Sequence, residues 1–129
     1  MMYKQSVVFG VFDGLHEGHK YFLQNAKNKT QKLIVVVARD GVVHSLKGKY
    51  PRRTFQERES MIREFDSSFE VVTGDEVAGE WSVFKTHHID AVFLGHDQNV
   101  LEVELTNHNV PILYIDAHEP ETYKSSKMS

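Results

Sequence analysis

Short apolar runs rich in β-branched residues alternate along the chain with longer segments whose apolar positions recur three and four apart. That alternation predicts a parallel sheet covered by helices. The first run is Ser6-Val7-Val8-Phe9; beyond a glycine-rich junction, Gly18 to Lys29 carries Phe22, Leu23 and Ala26 on one side and reads as a helix. Lys32 to Ala38 is apolar after its first residue, as a central strand buried on both faces requires. Arg39-Asp40-Gly41 reads as a turn, and the polar, basic stretch from His44 to Arg53 as a loop able to move. Thr54 followed three residues later by Glu57 forms a capping box, which predicts a helix over Phe55–Phe65. Phe69 to Thr73 is a third strand, Trp81 to Thr86 a short helix and Ala91 to Leu94 a fourth strand. Asn99, with Glu102 in the matching position, predicts a capped helix reaching about His108. Val110 to Ile115 is the fifth strand, and Pro111 puts it at an edge because proline cannot donate to a neighbour.

These elements imply an α/β fold: a single Rossmann-like domain over residues 1–129, with a five-stranded parallel sheet and helices on both faces. Residues 119–129 read as a polar C-terminal tail. The length of 129 residues suffices to bury a core, and 40% apolar with 26% charged residues is the composition of a water-soluble globular chain. A net charge of −3 argues against a general nucleic-acid or membrane-surface binder. Any anion bound here must be held by local charges. The chain has no cysteine, which excludes disulfides, zinc–thiolate sites and thiol catalysis. No run approaches the roughly 18 apolar residues of a membrane span, and Met1 to Gln5 lacks a signal-peptide core, so a cytoplasmic location is expected.

In open parallel sheets, ligands bind beyond the carboxyl ends of the strands, near the point where strand order reverses. The polar clusters of this chain fall there. Phe12 to His19 follows the first strand, Arg39-Asp40 the second, Gly74-Asp75-Glu76 the third and Gly95 to Gln98 the fourth. Strand ends are polar in any such fold, and for Gly74 to Glu76 that is reason enough.

The first cluster, Gly10-Val11-Phe12-Asp13-Gly14-Leu15-His16-Glu17-Gly18-His19, has the chemistry of phosphate handling. Gly10, Gly14 and Gly18 let the backbone turn tightly and approach a ligand, and a helix starting near Gly18 points backbone N–H groups at an anion. His16 and His19 add donors without a fixed charge. Taken alone, a His-x-x-His pair is equally a chance surface feature or half of a metal site, although no third ligand is placed for the latter.

With Asp13 and its glycines, however, the segment resembles the G-x-F-D-x-x-H-x-G-H signature of the cytidylyltransferase-like nucleotidyltransferases. Val36-Val37-Ala38-Arg39-Asp40, Lys47-Gly48-Lys49, Phe55-Gln56-Glu57-Arg58, Gly74-Asp75 and Leu94-Gly95-His96-Asp97-Gln98 occur in the same order as in that family. The resemblance therefore covers nearly the whole chain. The Ala-Arg-Asp and Gly-x-Asp-Gln segments look most like archaeal-type FMN adenylyltransferases, while the small size also fits glycerol-3-phosphate cytidylyltransferase.

The resemblance implies transfer of a nucleotidyl group from ATP or CTP to a phosphate-bearing acceptor such as FMN or glycerol 3-phosphate, with release of pyrophosphate. It assigns His16 and His19 to the triphosphate, and Lys47 and Lys49 to a loop closing over the phosphates, with Arg58 supporting the same site. Gly10, Val11, Phe12, Asp13 and Gly18 line the nucleotide on one side, and Gly95, Asp97 and Gln98 on the other. Asp13 stands near the phosphates through a Mg²⁺ ion. Ser125 and Ser126, in Tyr123-Lys124-Ser125-Ser126-Lys127-Met128-Ser129, match the family's final phosphate-binding motif. Family members also suggest a homodimer. The alternative of another class is a nucleotide-binding module without turnover.

Some residues carry blander expectations. Val11 stands where the family commonly has threonine, and Glu17 puts a negative charge beside the phosphate site. Arg52, Arg53, His44, His87, His88, His108 and His118 match no motif and read as surface residues. Trp81 and Phe84 are three apart on a helix, a spacing that favours packing over stacking on a base.

Overall fold

The computed structural model describes residues 3–76, 80–95 and 98–115. Its elements run β1 (Tyr3–Gly10), α1 (Glu17–Asn28), β2 (Thr30–Val37), α2 (Asp40–Lys47), α3 (Phe55–Phe65), β3 (Glu70–Thr73), α4 (Val83–Thr86), β4 (Ala91–Gly95), α5 (Asn99–Leu105) with a 3₁₀ turn (Thr106–His108), and β5 (Ile112–Ile115). All strand pairs are parallel, in the order β3-β2-β1-β4-β5. This is the expected α/β sheet, and β5 lies at an edge as Pro111 requires.

Successive strand residues point to opposite faces, so the continuous apolar runs feed two cores. One face presents Val8, Leu33, Val35 and Phe93 to Leu23 and Ala26 of α1 and Ile62 of α3. The other presents Val7, Ile34, Val92 and Leu94 to Val83 of α4 and Leu105 of α5. Each such fully buried aliphatic side chain contributes roughly 1.5–3 kcal/mol of transfer free energy. Trp81 and Phe84 pack on the second core through Phe9, with ring centroids 5.0 and 6.3 Å away. Helix α3 has the predicted bounds and cap: Glu57 N–H donates to Thr54 Oγ1 at 3.2 Å, and Thr54 N–H to Glu57 Oε1 at 2.9 Å.

Two segments differ from the expectation. Asp40-Gly41 is the first turn of α2, an eight-residue helix that ends at Gly48 in the left-handed region, at φ 80°. Burial of Val43 and the grip of Arg58 on Asp40 override the local Asp-Gly turn preference. Lys47 therefore ends a helix and is not part of a loop beginning at His44. At α5 the N-cap is Gln98, not Asn99, which is the first helical residue, and Glu102 instead accepts the Tyr114 hydroxyl at 2.7 Å. Among the described residues no helix is long and apolar enough to cross a membrane.

Since β2 and β3 lie to one side of β1 while β4 and β5 lie to the other, strand order reverses between β1 and β4. The carboxyl end of β1 is thus the rim on which a ligand site is expected.

Candidate active site

Beyond Gly10 the chain turns into α1 through a strained bend. Phe12 has φ +52°, in the left-handed region that costs a residue with a Cβ about 1–2 kcal/mol. Its ring is buried and pays for that strain by packing directly on Gly10, where a Cβ would stand 2.7 Å from the ring. Any side chain at Gly10 would evict Phe12.

His16 is the N-cap of α1. Its Nδ1 accepts from Gly18 N–H at 3.0 Å and from His19 N–H at 3.4 Å. The ring folds so closely over the helix that a Cβ on Gly18 would lie 2.9 Å from it. The glycine between the two histidines is thus explained by the cap. The rings of His16 and His19 stack with centroids 3.8 Å apart, and Phe12 meets His19 edge-on at 5.6 Å. The two N–H groups expected to face an anion are already taken by His16. In the neutral ring the proton must then sit on Nε2, which the two bonds at Nδ1 polarise as a donor. His16 is exposed and His19 half-buried.

The segments around this bend are tied by two ionised side chains. Asp13 accepts from Arg52 N–H at 2.8 Å through Oδ2 and from Arg53 N–H at 2.9 Å through Oδ1. The Arg52 bond, opposed by desolvation and aided by the Arg53 N–H and the Arg53 and Arg58 charges, holds the Asp13 carboxyl below its ordinary range. Arg58 is fully buried. It donates to the carbonyls of Val11 and Ala38 at 2.9 Å each, to that of Arg53 at 3.2 Å, and to Asp40 Oδ1. The resemblance assigns Arg58 to support of the phosphate site; in the structure its guanidinium bonds three backbone carbonyls and the Asp40 carboxylate. It acts on the site by holding the turns after β1 and β2 together.

Lys47 and Lys49 are exposed and line an open cleft of about 210 Å³ with Val11, Val43, Tyr50 and Arg52. On the opposite side of β1, the recorded pairing with β4 covers only Ser6↔Ala91 and Val7↔Val92. Gln98 bridges the gap beyond: its Nε2 donates to Phe9 O at 3.0 Å and its Oε1 accepts from Gly95 N–H at 2.9 Å. Both ends of the side-chain amide are therefore committed to backbone. His96, Asp97, His118, Ser125 and Ser126 lie outside the described residues. Of the remaining histidines, His44 stacks on Tyr50 at 4.3 Å and His108 on Phe84 at 4.3 Å, while His87 pairs with Glu70 at 2.9 Å. His88 is exposed and bonds Asp90 at 2.8 Å.

Among the described residues no three metal-ligating side chains are gathered. Each Asp13 oxygen already takes a backbone N–H, leaving lone pairs that suit a Mg²⁺ ion arriving on phosphates better than a resident one. Two residues have parts that the sequence does not assign: Asp40, in the rim cluster after the second strand, is the partner of Arg58, and Tyr50 is the exposed aromatic of the cleft. An acidic residue just past a strand end signals the first. Nothing in the sequence signals the second.

The profile of the family described as cytidylyltransferase-like matches residues 7–128 of this chain. The FAD synthase of Thermococcus sibiricus is 35% identical over 129 residues, an alignment covering 95% of this chain and 87% of that protein. The FAD synthase of Pyrococcus abyssi is 38% identical over 93 residues, or 72% of this chain and 63% of that one. Among solved structures, a lipopolysaccharide core biosynthesis protein from Thermoplasma volcanium superposes with a TM-score of 0.76 at 28% identity, covering 90% of this chain and 98% of that chain. The chain belongs to the cytidylyltransferase-like family.

Proposed function

We propose that this member of the cytidylyltransferase-like family is an FMN adenylyltransferase, moving AMP from ATP to FMN to give FAD and pyrophosphate. The observation that carries the reading is the stacked His16–His19 pair at the α1 N-terminus, on the β1 rim, in a chain similar to named FAD synthases. A phosphate oxygen of FMN attacks the α-phosphorus of ATP in line, the bond from that phosphorus to the α–β bridging oxygen breaks, and the electron pair leaves with pyrophosphate. The attacking oxygen is already ionised, so no general base is needed; positioning and charge stabilisation remain for the protein.

In this reading His16 donates from Nε2, and His19 beside it, to the phosphate oxygens on which charge builds. Lys47 and Lys49 neutralise phosphates from the α2 side. Gly10, Val11, Phe12 and Gly18 shape the backbone against the nucleotide, and Gly95, Asp97 and Gln98 bound its nucleoside end. Arg58 and Asp13 are positioning residues for the two turns. Mg²⁺ carried on the triphosphate, with Asp13 nearby, offsets the repulsion between two anionic substrates. The Ser125-Ser126 pair belongs to the same proposal as a further phosphate contact.

Incubation with ATP and FMN is expected to release pyrophosphate and form FAD. Turnover with CTP and glycerol 3-phosphate in its place would reassign the substrates, and tight nucleotide binding with no release for any acceptor would leave a binding module. The sharper variant is His16→Asn, because asparagine keeps the N-cap while removing Nε2. It should lower kcat about 100-fold, as loss of one such donor does, with the melting temperature little changed. His19→Ala should do the same. Full activity in a variant lacking both histidines would sink the assignment.

A further inference from the structure

We propose that the cleft on the β2 side of β1 is the acceptor's pocket and that Tyr50 is its specificity shelf, against which the planar ring of an aromatic phosphate ester stacks. The inference rests on the reading above for the place of the nucleotide. Tyr50 is 65% exposed, an unusual condition for a large aromatic beside a cleft it lines. It is nevertheless held flat: its ring lies on that of His44 at 4.3 Å and 22°. The imidazole covers one face of the phenol and leaves the other for a second ring. That is the geometry of a stacking platform, which offers a π-face at little entropic cost because the ring is already oriented.

The rest of the lining selects the other end of the ligand. Lys47, Lys49 and Arg52 bring three positive charges against the single carboxylate of Asp13, in a chain whose net charge is −3. Asp13 is moreover engaged with two backbone N–H groups. The cleft is therefore an anion site with an aromatic wall and two aliphatic residues, Val11 and Val43, at its base. The nucleoside end of ATP, in the reading above, lies across β1 beside Gln98, so the planar anion left for this cleft is the acceptor. A small polyol phosphate would leave the Tyr50 face unused. A heteroaromatic phosphate monoester such as FMN uses both features.

The experiment uses FMN as the probe, with Tyr50→Leu, Tyr50→Phe and Tyr50→Trp variants of the full chain. Flavin emission is quenched when the ring stacks on a phenol or indole, so titration of FMN without ATP reads the contact independently of turnover. Wild type should quench, Tyr50→Leu should lose the quenching with about tenfold weaker binding, and the aromatic replacements should keep the affinity, one stack being worth about that factor. In steady state, Tyr50→Leu should raise the KM for FMN about tenfold and leave the KM for ATP within twofold. Because Tyr50 is exposed, its melting temperature should not move. A rise confined to the KM for ATP would put the adenine on this shelf and overturn the proposal, as would unchanged constants in Tyr50→Leu. If wild type forms no FAD, the proposed reaction fails, yet quenching lost in Tyr50→Leu would still support the shelf. Absence of any quenching by wild type would remove it.

Discussion

On its β2 side, β1 stays paired through Gly10↔Val37, and the turns beyond are fastened by charge: Arg58 gathers Val11, Ala38, Asp40 and Arg53, and Asp13 takes the N–H groups of Arg52 and Arg53. On its β4 side the pairing ends at Val7↔Val92, and among the described residues the strand ends beyond are joined by one neutral amide, Gln98, beside an aromatic cluster of Phe9, Trp81 and Phe84. The ionic flank fastens the turns that follow β1 and β2 to the Arg52-Arg53 segment and to α3. The neutral flank spans a gap that the sheet itself leaves open, at the point where strand order reverses. A crevice there needs separated strand ends, and an uncharged bridge can hold them without competing for an anionic ligand. The two flanks should therefore fail in different ways.

The largest effect is expected on the ionic flank. Arg58→Met removes donors from three backbone carbonyls and strips the partner from Asp40, and should cost about 3 kcal/mol, read as a lower urea midpoint. Arg58→Lys keeps a charge for Asp40 but cannot span the fork of carbonyls, so it should fall between wild type and Arg58→Met. Equal stability of all three chains would show that the turns after β1 and β2 hold without the guanidinium. Activity should be lost in parallel with order in those turns, since the side chain has no exposed surface from which to touch a ligand.

Gln98→Glu tests the neutral flank. At neutral pH it sets a carboxylate oxygen against Phe9 O in place of an N–H donor, a mismatch of about 2 kcal/mol. A protonated carboxyl, by contrast, can donate to Phe9 O and accept from Gly95 N–H, as the amide does. The folded state therefore raises the pKa of the introduced group above its unfolded value. Its protonated form is favoured, so the penalty is smallest at low pH and grows as pH rises through the carboxylate range. Melting temperatures of the variant and wild type, compared from pH 4 to pH 7, should diverge upward. A pH-independent gap would mean that Gln98 serves by size alone.

The contrast also explains what could be read from the sequence. Helix α3 was legible to its ends because Thr54 and Glu57 sit three apart and cap each other locally, and β2 because an unbroken apolar run has few other places to go. The turn expected at Asp40-Gly41 was wrong for the opposite reason: Asp40 is held by Arg58, eighteen residues on, and no local rule contains that contact. The sequence singles out the histidine pair as a candidate, but not the cap made by His16 Nδ1, since histidine is an uncommon N-cap; the Gly18 between them is the available clue. Neither the burial of Arg58 nor the double commitment of Gln98 has any signature within a few residues of it.

Asp13 gives the smallest and most specific test, because it belongs to the ionic flank but is partly open to solvent. Its folded-state pKa is lowered, first by the Arg52 N–H bond, so the stabilisation it supplies is fully present above the unfolded value of 3.8 and is lost as pH falls through the lower folded value. Asp13→Asn keeps an acceptor for one N–H but not the charge, and should cost about 1 kcal/mol at pH 7. As pH falls below 3.8 and through the lower folded value, the wild-type carboxyl is itself protonated, so the two chains should converge in melting temperature there. Divergence that persists into acid would trace the effect to shape, whereas convergence assigns it to the charge that fastens the Arg52-Arg53 segment to the β1 rim. The Gln98→Glu gap also narrows in acid, but for the reverse reason: there the variant recovers, while here the wild type declines. The two acid profiles together separate a flank held by charge from one held by a neutral bridge.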